Sequence, residues 1–106
     1  ELRNIILKTV GFEDKLKKIV NNTKGIEKAY IYGSYAQNNM NVHSDIDLLF
    51  IGDHSIMPLQ RRLNKLQAEL DREINAVNMD KNEFARRRKK KDPFITGILR
   101  QKHIEI

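Results

Sequence analysis

Apolar residues follow two rhythms along this chain. In the span 2–10 they stand at Leu2, Ile5, Ile6 and Leu7, which predicts a short helix stopped at Gly11. In the span 12–23 Phe12, Leu16, Ile19 and Val20 share one helical face, with Glu13 and Asp14 in the first turn, where the helix dipole favours acids. The rhythm then changes. Residues 26–32 are rich in β-branched and aromatic side chains and predict a strand. Gly33 breaks it, 34–37 opens a short helix, and the Asn-rich span 38–44 is a loop.

A second strand is predicted over 45–51, ended by Gly52 and Asp53. From Ser55 onward the apolar residues Ile56, Leu59, Leu63, Leu66 and Leu70 step by threes and fours, which marks a long amphipathic helix with Pro58 tolerated in its first turn. Residues 73–79 read as a third strand. Asp80 with Glu83 has capping-box spacing and starts another helix, interrupted by Asp92-Pro93. A short helix over 94–99 and an alternating segment over 103–106, a fourth strand, complete the chain. The pattern predicts an α/β fold, a small mixed β-sheet flanked by helices. No internal repeat or long linker divides it, so residues 1–106 form one domain.

Composition narrows the picture. A chain of 106 residues with 40% hydrophobic side chains suits one globular unit with a small core. The absence of Cys excludes disulfides and thiolate metal sites. No apolar run is long enough to cross a bilayer and no basic-then-apolar leader is present, so a cytoplasmic protein without a membrane partner is expected. The first residue is Glu1 rather than Met, and the chain is expected to be the C-terminal part of a longer one. The net charge of +6 and pI near 9.7 favour anionic partners. Much of that charge lies in one basic run, Arg86, Arg87, Arg88, Lys89, Lys90 and Lys91. Successive helical positions point in all directions, so the run reads either as a solvated helix end or as a contact for nucleic-acid phosphates.

Two features carry chemistry. Asp45 and Asp47 lie two apart on a predicted strand, so their carboxylates share a face while Ile46 and Leu48 turn to the core. Adjacent carboxylates repel and call for a proton or cation between them. Mg²⁺, a hard cation that prefers oxygen ligands and keeps waters and phosphates in its shell, suits such a pair, and Mn²⁺ is the alternative. Gly33 and Ser34 form the second feature. A glycine turn leading from a strand into a helix lets backbone N–H groups approach phosphate oxygens, and the Ser34 hydroxyl adds a donor. His43 and His54 flank the acid strand and are expected to be solvated loop residues, a metal role being the alternative; His103 is expected to be structural or exposed. Tyr30, Tyr32 and Tyr35 are expected in the core, Tyr35 being the best placed to stack on a base.

Tyr32-Gly33-Ser34-Tyr35-Ala36 followed by Ser44-Asp45-Ile46-Asp47-Leu48-Leu49 resembles the DNA polymerase beta-like nucleotidyltransferase superfamily, and within it the minimal nucleotidyltransferase group. Leu7-Lys8-Thr9-Val10-Gly11, Arg72-Glu73-Ile74-Asn75 and Asp92-Pro93-Phe94 are similar to a subgroup in which this domain follows a winged-helix regulator. The resemblance implies that Gly33 and Ser34 hold a nucleoside triphosphate. It implies that Asp45 and Asp47 are catalytic, binding Mg²⁺ while a nucleoside monophosphate passes to an acceptor. It also implies a third carboxylate on the next strand, where this chain has Asn75. An amide is uncharged and a poor general base. Glu73, on the same strand face, is the alternative third ligand. The expected function is therefore Mg²⁺-dependent nucleotidyl transfer. The alternatives are a non-catalytic nucleotide or metal sensor, or an antitoxin-like module with a fused winged-helix domain or a helical partner protein.

Overall fold

The computed structural model describes residues 11–37 and 45–106. The helix expected over 2–10, the loop over 38–44 with His43, and the motif residues Leu7 to Val10 and Ser44 lie outside the described residues. Among the described residues the elements are α1 (Phe12–Asn21), β1 (Ile26–Tyr32), β2 (Ile46–Gly52), α2 (Ile56–Leu70), β3 (Ile74–Met79), α3 (Lys81–Lys89), α4 (Pro93–Arg100) and β4 (Ile104–Glu105). The strands form one mixed sheet in the order β3-β2-β1-β4. β1 is antiparallel to both β2 and β4, whereas β2 and β3 run parallel. Parallel neighbours need a crossover, and α2 supplies it. The expected α/β sheet flanked by helices is what forms.

β2 lies at the centre and is buried on both faces. Ile46, Leu48 and Phe50 face a core built with Phe12 and Leu16 of α1 and with Leu59, Leu63, Leu66 and Leu70 of α2. Leu49 and Ile51 face a second core with Phe84 of α3 and with Ile95 and Ile98 of α4. This accounts for the unbroken apolar run at 48–51, since alternation appears only when one face meets water. The four α2 leucines are at most 3% exposed. Truncating any of them to Ala costs about 2–5 kcal/mol, the loss typical of buried leucines.

Helix ends follow their local signals. Asp80 accepts a hydrogen bond from the Glu83 N–H at 2.7 Å, and Asp92 accepts from the Ile95 N–H at 3.2 Å with Pro93 in the first turn of α4. Such caps satisfy backbone donors that have no partner within the helix. The short helix expected from 34 is, within the described residues, one turn over 33–37, in which the Gln37 N–H donates to the Gly33 carbonyl at 3.1 Å. No helix among the described residues is long and apolar enough to cross a membrane.

Candidate active site

Strand register assembles the site. Asp47 pairs with Tyr32, the last residue of β1, and on its other side with Asn75 of β3. Near Asn75 the Ile46 N–H donates to the Glu73 carbonyl at 2.9 Å, which fixes that second register, and the Ile74 N–H donates to the Gln67 side chain at 2.8 Å, which ties β3 to α2. Alternation then puts Asp45, Asp47 and Asn75 on the sheet face covered by α3 and α4. The Asn75 amide reaches both acids, with Nδ2 donating to Asp45 Oδ2 at 3.2 Å and to Asp47 Oδ1 at 3.4 Å. The positive end of an amide dipole therefore sits between two carboxylates.

Gly33 closes the arrangement from β1. Its φ of +73° lies in the left-handed region, which side chains disfavour. A Cβ there would also run into Asp47 Oδ2. The turn that carries Ser34 and the strand that carries the acids are thus in contact, with no space for a side chain between them. Burial pushes the Asp47 carboxyl above the usual carboxylate range; the Asn75 hydrogen bond opposes this and the Asp45 charge adds to it. Burial also raises the Tyr32 hydroxyl, with the Asp47 charge contributing.

Among the described residues no third His, Cys, Asp or Glu joins the pair to make a metal-binding group. Asn75 is the side chain that bonds to both acids, whereas Glu73 contributes its backbone carbonyl to the sheet. The two carboxylates supply oxygen donors that suit a hard divalent cation, whereas Asn75 presents its Nδ2 to them and would add an oxygen only with its amide turned over.

Other residues depart from expectation. His54 is not a solvated loop residue. It is buried beyond the far end of β2, donates from Nε2 to Asn78 Oδ1 at 2.7 Å and meets the Phe50 ring edge-on. The run preceding it ends in Gly52 and Asp53, which reads as a surface turn, and only the sheet register brings Asn78 alongside. Tyr35 packs against α1 and the main core, as expected. Its ring meets Phe12 at 5.4 Å and its hydroxyl donates to Glu13 at 3.0 Å; burial first, and then that hydrogen bond and the Glu13 charge, push the phenol up to about 12. Tyr30 is core, as expected, and His103 lies edge-on against it with Nδ1 against the Gln101 carbonyl. Tyr32 is only half-buried and stands edge-on to Phe94 beside Gly33. Of the basic run, Arg87 is held by Glu83 at 2.8 Å, and the others are exposed. Arg88 and Lys89 join Lys28 and Lys81 around a cavity of about 490 Å³ floored by Ile51 and Phe84. Lys81 opens the same helix as the run, but Lys28 lies on β1, remote in sequence, so that grouping was not readable from the chain alone.

The structure is similar to known ones. A toxin-antitoxin solved with AMP-PNP is 28% identical with a TM-score of 0.53, over 62% of this chain and 56% of the other. A mutant of the toxin-antitoxin MntA-HpeT is 24% identical with a TM-score of 0.53, over 63% of this chain and 56% of the other. The chain thus spans little more than half the length of either. No curated protein matches it. A sequence-family model described as Polymerase beta, Nucleotidyltransferase matches residues 14–104, and the chain belongs to that family.

Proposed function

We propose that this chain transfers a nucleoside monophosphate from a nucleoside triphosphate, ATP in the first instance, to an acceptor, the bond between the α- and β-phosphates breaking and pyrophosphate leaving. The observation that carries the reading is the contact between Gly33 and Asp47, which joins a phosphate-binding turn to a carboxylate pair. Backbone N–H groups at the start of the 33–37 turn, with the Ser34 hydroxyl, hold the phosphates. Asp45 and Asp47 hold Mg²⁺ or Mn²⁺, and Asn75, whose Nδ2 faces the acids in the metal-free arrangement, offers its oxygen as a neutral ligand once its amide turns over. When bound, the cation neutralises charge on the phosphates and promotes in-line displacement. Asn75 has no carboxylate with which to take the acceptor's proton, so turnover is slow. The choice of ATP follows from the AMP-PNP in the similar toxin-antitoxin structure.

The test is incubation with labelled triphosphates, Mg²⁺ or Mn²⁺ and cell extract. A labelled acceptor that disappears with Asp45→Asn and with Asp47→Asn supports the reading. Labelling that survives both variants sinks it. Asn75 favours a second reading, in which the domain binds nucleotide and cation without transfer and serves an attached regulator or a partner protein. In that case nucleotide binding persists in an equilibrium assay while no labelled product forms. We also infer that the cations around the α3 cavity, Lys28, Lys81, Arg88 and Lys89, engage nucleic-acid phosphates.

A further inference from the structure

α4 carries a glycine that its own fold does not require. Gly97 lies inside the helix Pro93–Arg100 with no left-handed φ, and a Cβ built there meets no atom within 4 Å. Glycine inside a helix is destabilising relative to alanine, because it gives up more chain freedom. The space over Gly97 is therefore kept open at a cost to the helix, and no part of the described chain fills it.

That space is a groove of about 260 Å³ next to the candidate active site. Pro93 and Gly97 lie one turn apart on α4 facing it, Gln101 just beyond the helix end lines it too, Tyr32 and Phe94 supply aromatic walls, and Gly33 belongs both to the groove and to the 33–37 turn. Gln37 in the turn donates to the Gln101 side chain at 2.8 Å, which ties the end of α4 to the turn. The lining is mainly apolar, with the polar groups Gln101 and Lys102 at one end. Phosphates are poorly served by such walls, whereas a flat ring with polar edges is well served. An apolar cavity of about 150 Å³ suffices for benzene, so this groove has room for a fused two-ring base.

We propose that the groove between α4 and the end of β1 is the nucleobase subsite, that it has room for a purine, and that Gly97 keeps it open. The proposal rests on the reading that the 33–37 turn holds the triphosphate. Gly97→Leu is the direct test, since the side chain has space in the fold and improves helix propensity, so the melting temperature should not fall. Binding of ATP and of inorganic tripolyphosphate, each with Mg²⁺, is measured by calorimetry on the wild type and the variant. Filling the groove should weaken ATP by about tenfold or more, the scale of a misfit in an apolar pocket, and leave tripolyphosphate within about twofold. Gly97→Ala should show a smaller loss in the same direction. Phe94→Ala should weaken ATP by about 5- to 150-fold, the range found for base–aromatic stacking. Unchanged ATP binding in Gly97→Leu overturns the proposal while leaving the phosphate reading intact. Equal loss of both probes from a folded variant overturns it as well. A wild type that binds neither probe overturns it together with the phosphate reading.

Discussion

Replacing Asn75 with Asp is the perturbation that discriminates best at this site. Asn75 now bridges two carboxylates at 3.2 and 3.4 Å, and Asn75→Asp would exchange that bridge for a third negative charge at similar range. Two like charges about 4 Å apart repel by about 1 kcal/mol when screened as in water, and by about 4 kcal/mol at the effective dielectric of a protein surface. Asn75 is exposed and the two acids are partly so, which argues for the lower figure for each of the two new pairs. The metal-free variant should therefore lose about 2 kcal/mol, which for a domain of this size lowers the melting temperature by about 8–16 °C. Divalent cation should reverse the sign of the effect, because a third oxygen anion attracts the ion that the other two hold. Thermal denaturation in EDTA and again in millimolar Mg²⁺ or Mn²⁺ reads both effects. Metal should stabilise Asn75→Asp more than the wild type, and transfer should rise by no more than about 10²–10⁴-fold, the usual value of a general base. A melting temperature unchanged in EDTA and indifferent to metal would refute the reasoning, since it would mean that Asn75 does not face the carboxylate pair in solution.

The remaining predictions use the same assays. Burial raises the folded-state pKa of Asp47; its contribution to stability is therefore full below the unfolded carboxylate value of about 4 and is lost as pH rises through the folded value. Asp47→Asn should consequently stabilise the metal-free fold at neutral pH and flatten that dependence, while abolishing transfer. Gly33→Ala forces a side chain to φ +73° and against Asp47; the backbone conformation alone costs about 1–2 kcal/mol, and binding of tripolyphosphate should fall as well. Tyr35→Phe removes the hydrogen bond to Glu13 and should cost about 0.5–1.5 kcal/mol. In the wild type, absorbance titration should show one tyrosine ionising near pH 12, with the matching stability lost between the ordinary value of 10.0 and 12. Replacing Arg88 and Lys89 with Ala should weaken single-stranded nucleic-acid binding and flatten its salt dependence, whereas Arg87→Ala, which removes the partner of Glu83, should change it little.

The fold was legible because its signals are redundant. The α2 stripe of Leu59, Leu63, Leu66 and Leu70, the Asp80 cap, the break at Asp92-Pro93 and the apolar run of β2 each state a local structure that the core then uses. What the chain does not display is which residues meet across the sheet. His54 reads as a loop residue because it follows Gly52 and Asp53. Its burial depends on Asn78, brought alongside by the parallel pairing of β2 with β3. Tyr35 lies within the 33–37 turn, and only the tertiary arrangement says which partners it meets, Phe12 and Glu13 of the helix before β1.

The candidate site divides along the same line. Asp45 with Asp47, and Gly33 with Ser34, are readable from spacing, because alternation and turn chemistry are local rules. The pairing of Asn75 with Asp47 needed one further step, that strands joined by a single helix lie close together, and the register places them opposite each other. The α4 groove is of another kind. A glycine between Thr96 and Ile98 reads in a sequence as a mild helix penalty, and nothing nearby says why it is there. Its meaning depends on a space bounded by residues more than sixty positions apart, Tyr32 and Gly33 on one side and Gly97 and Gln101 on the other. A locally unfavourable residue in an otherwise self-consistent helix points to a demand from outside the fold. On the reading proposed above, that demand is a base reaching over from a triphosphate held at the 33–37 turn.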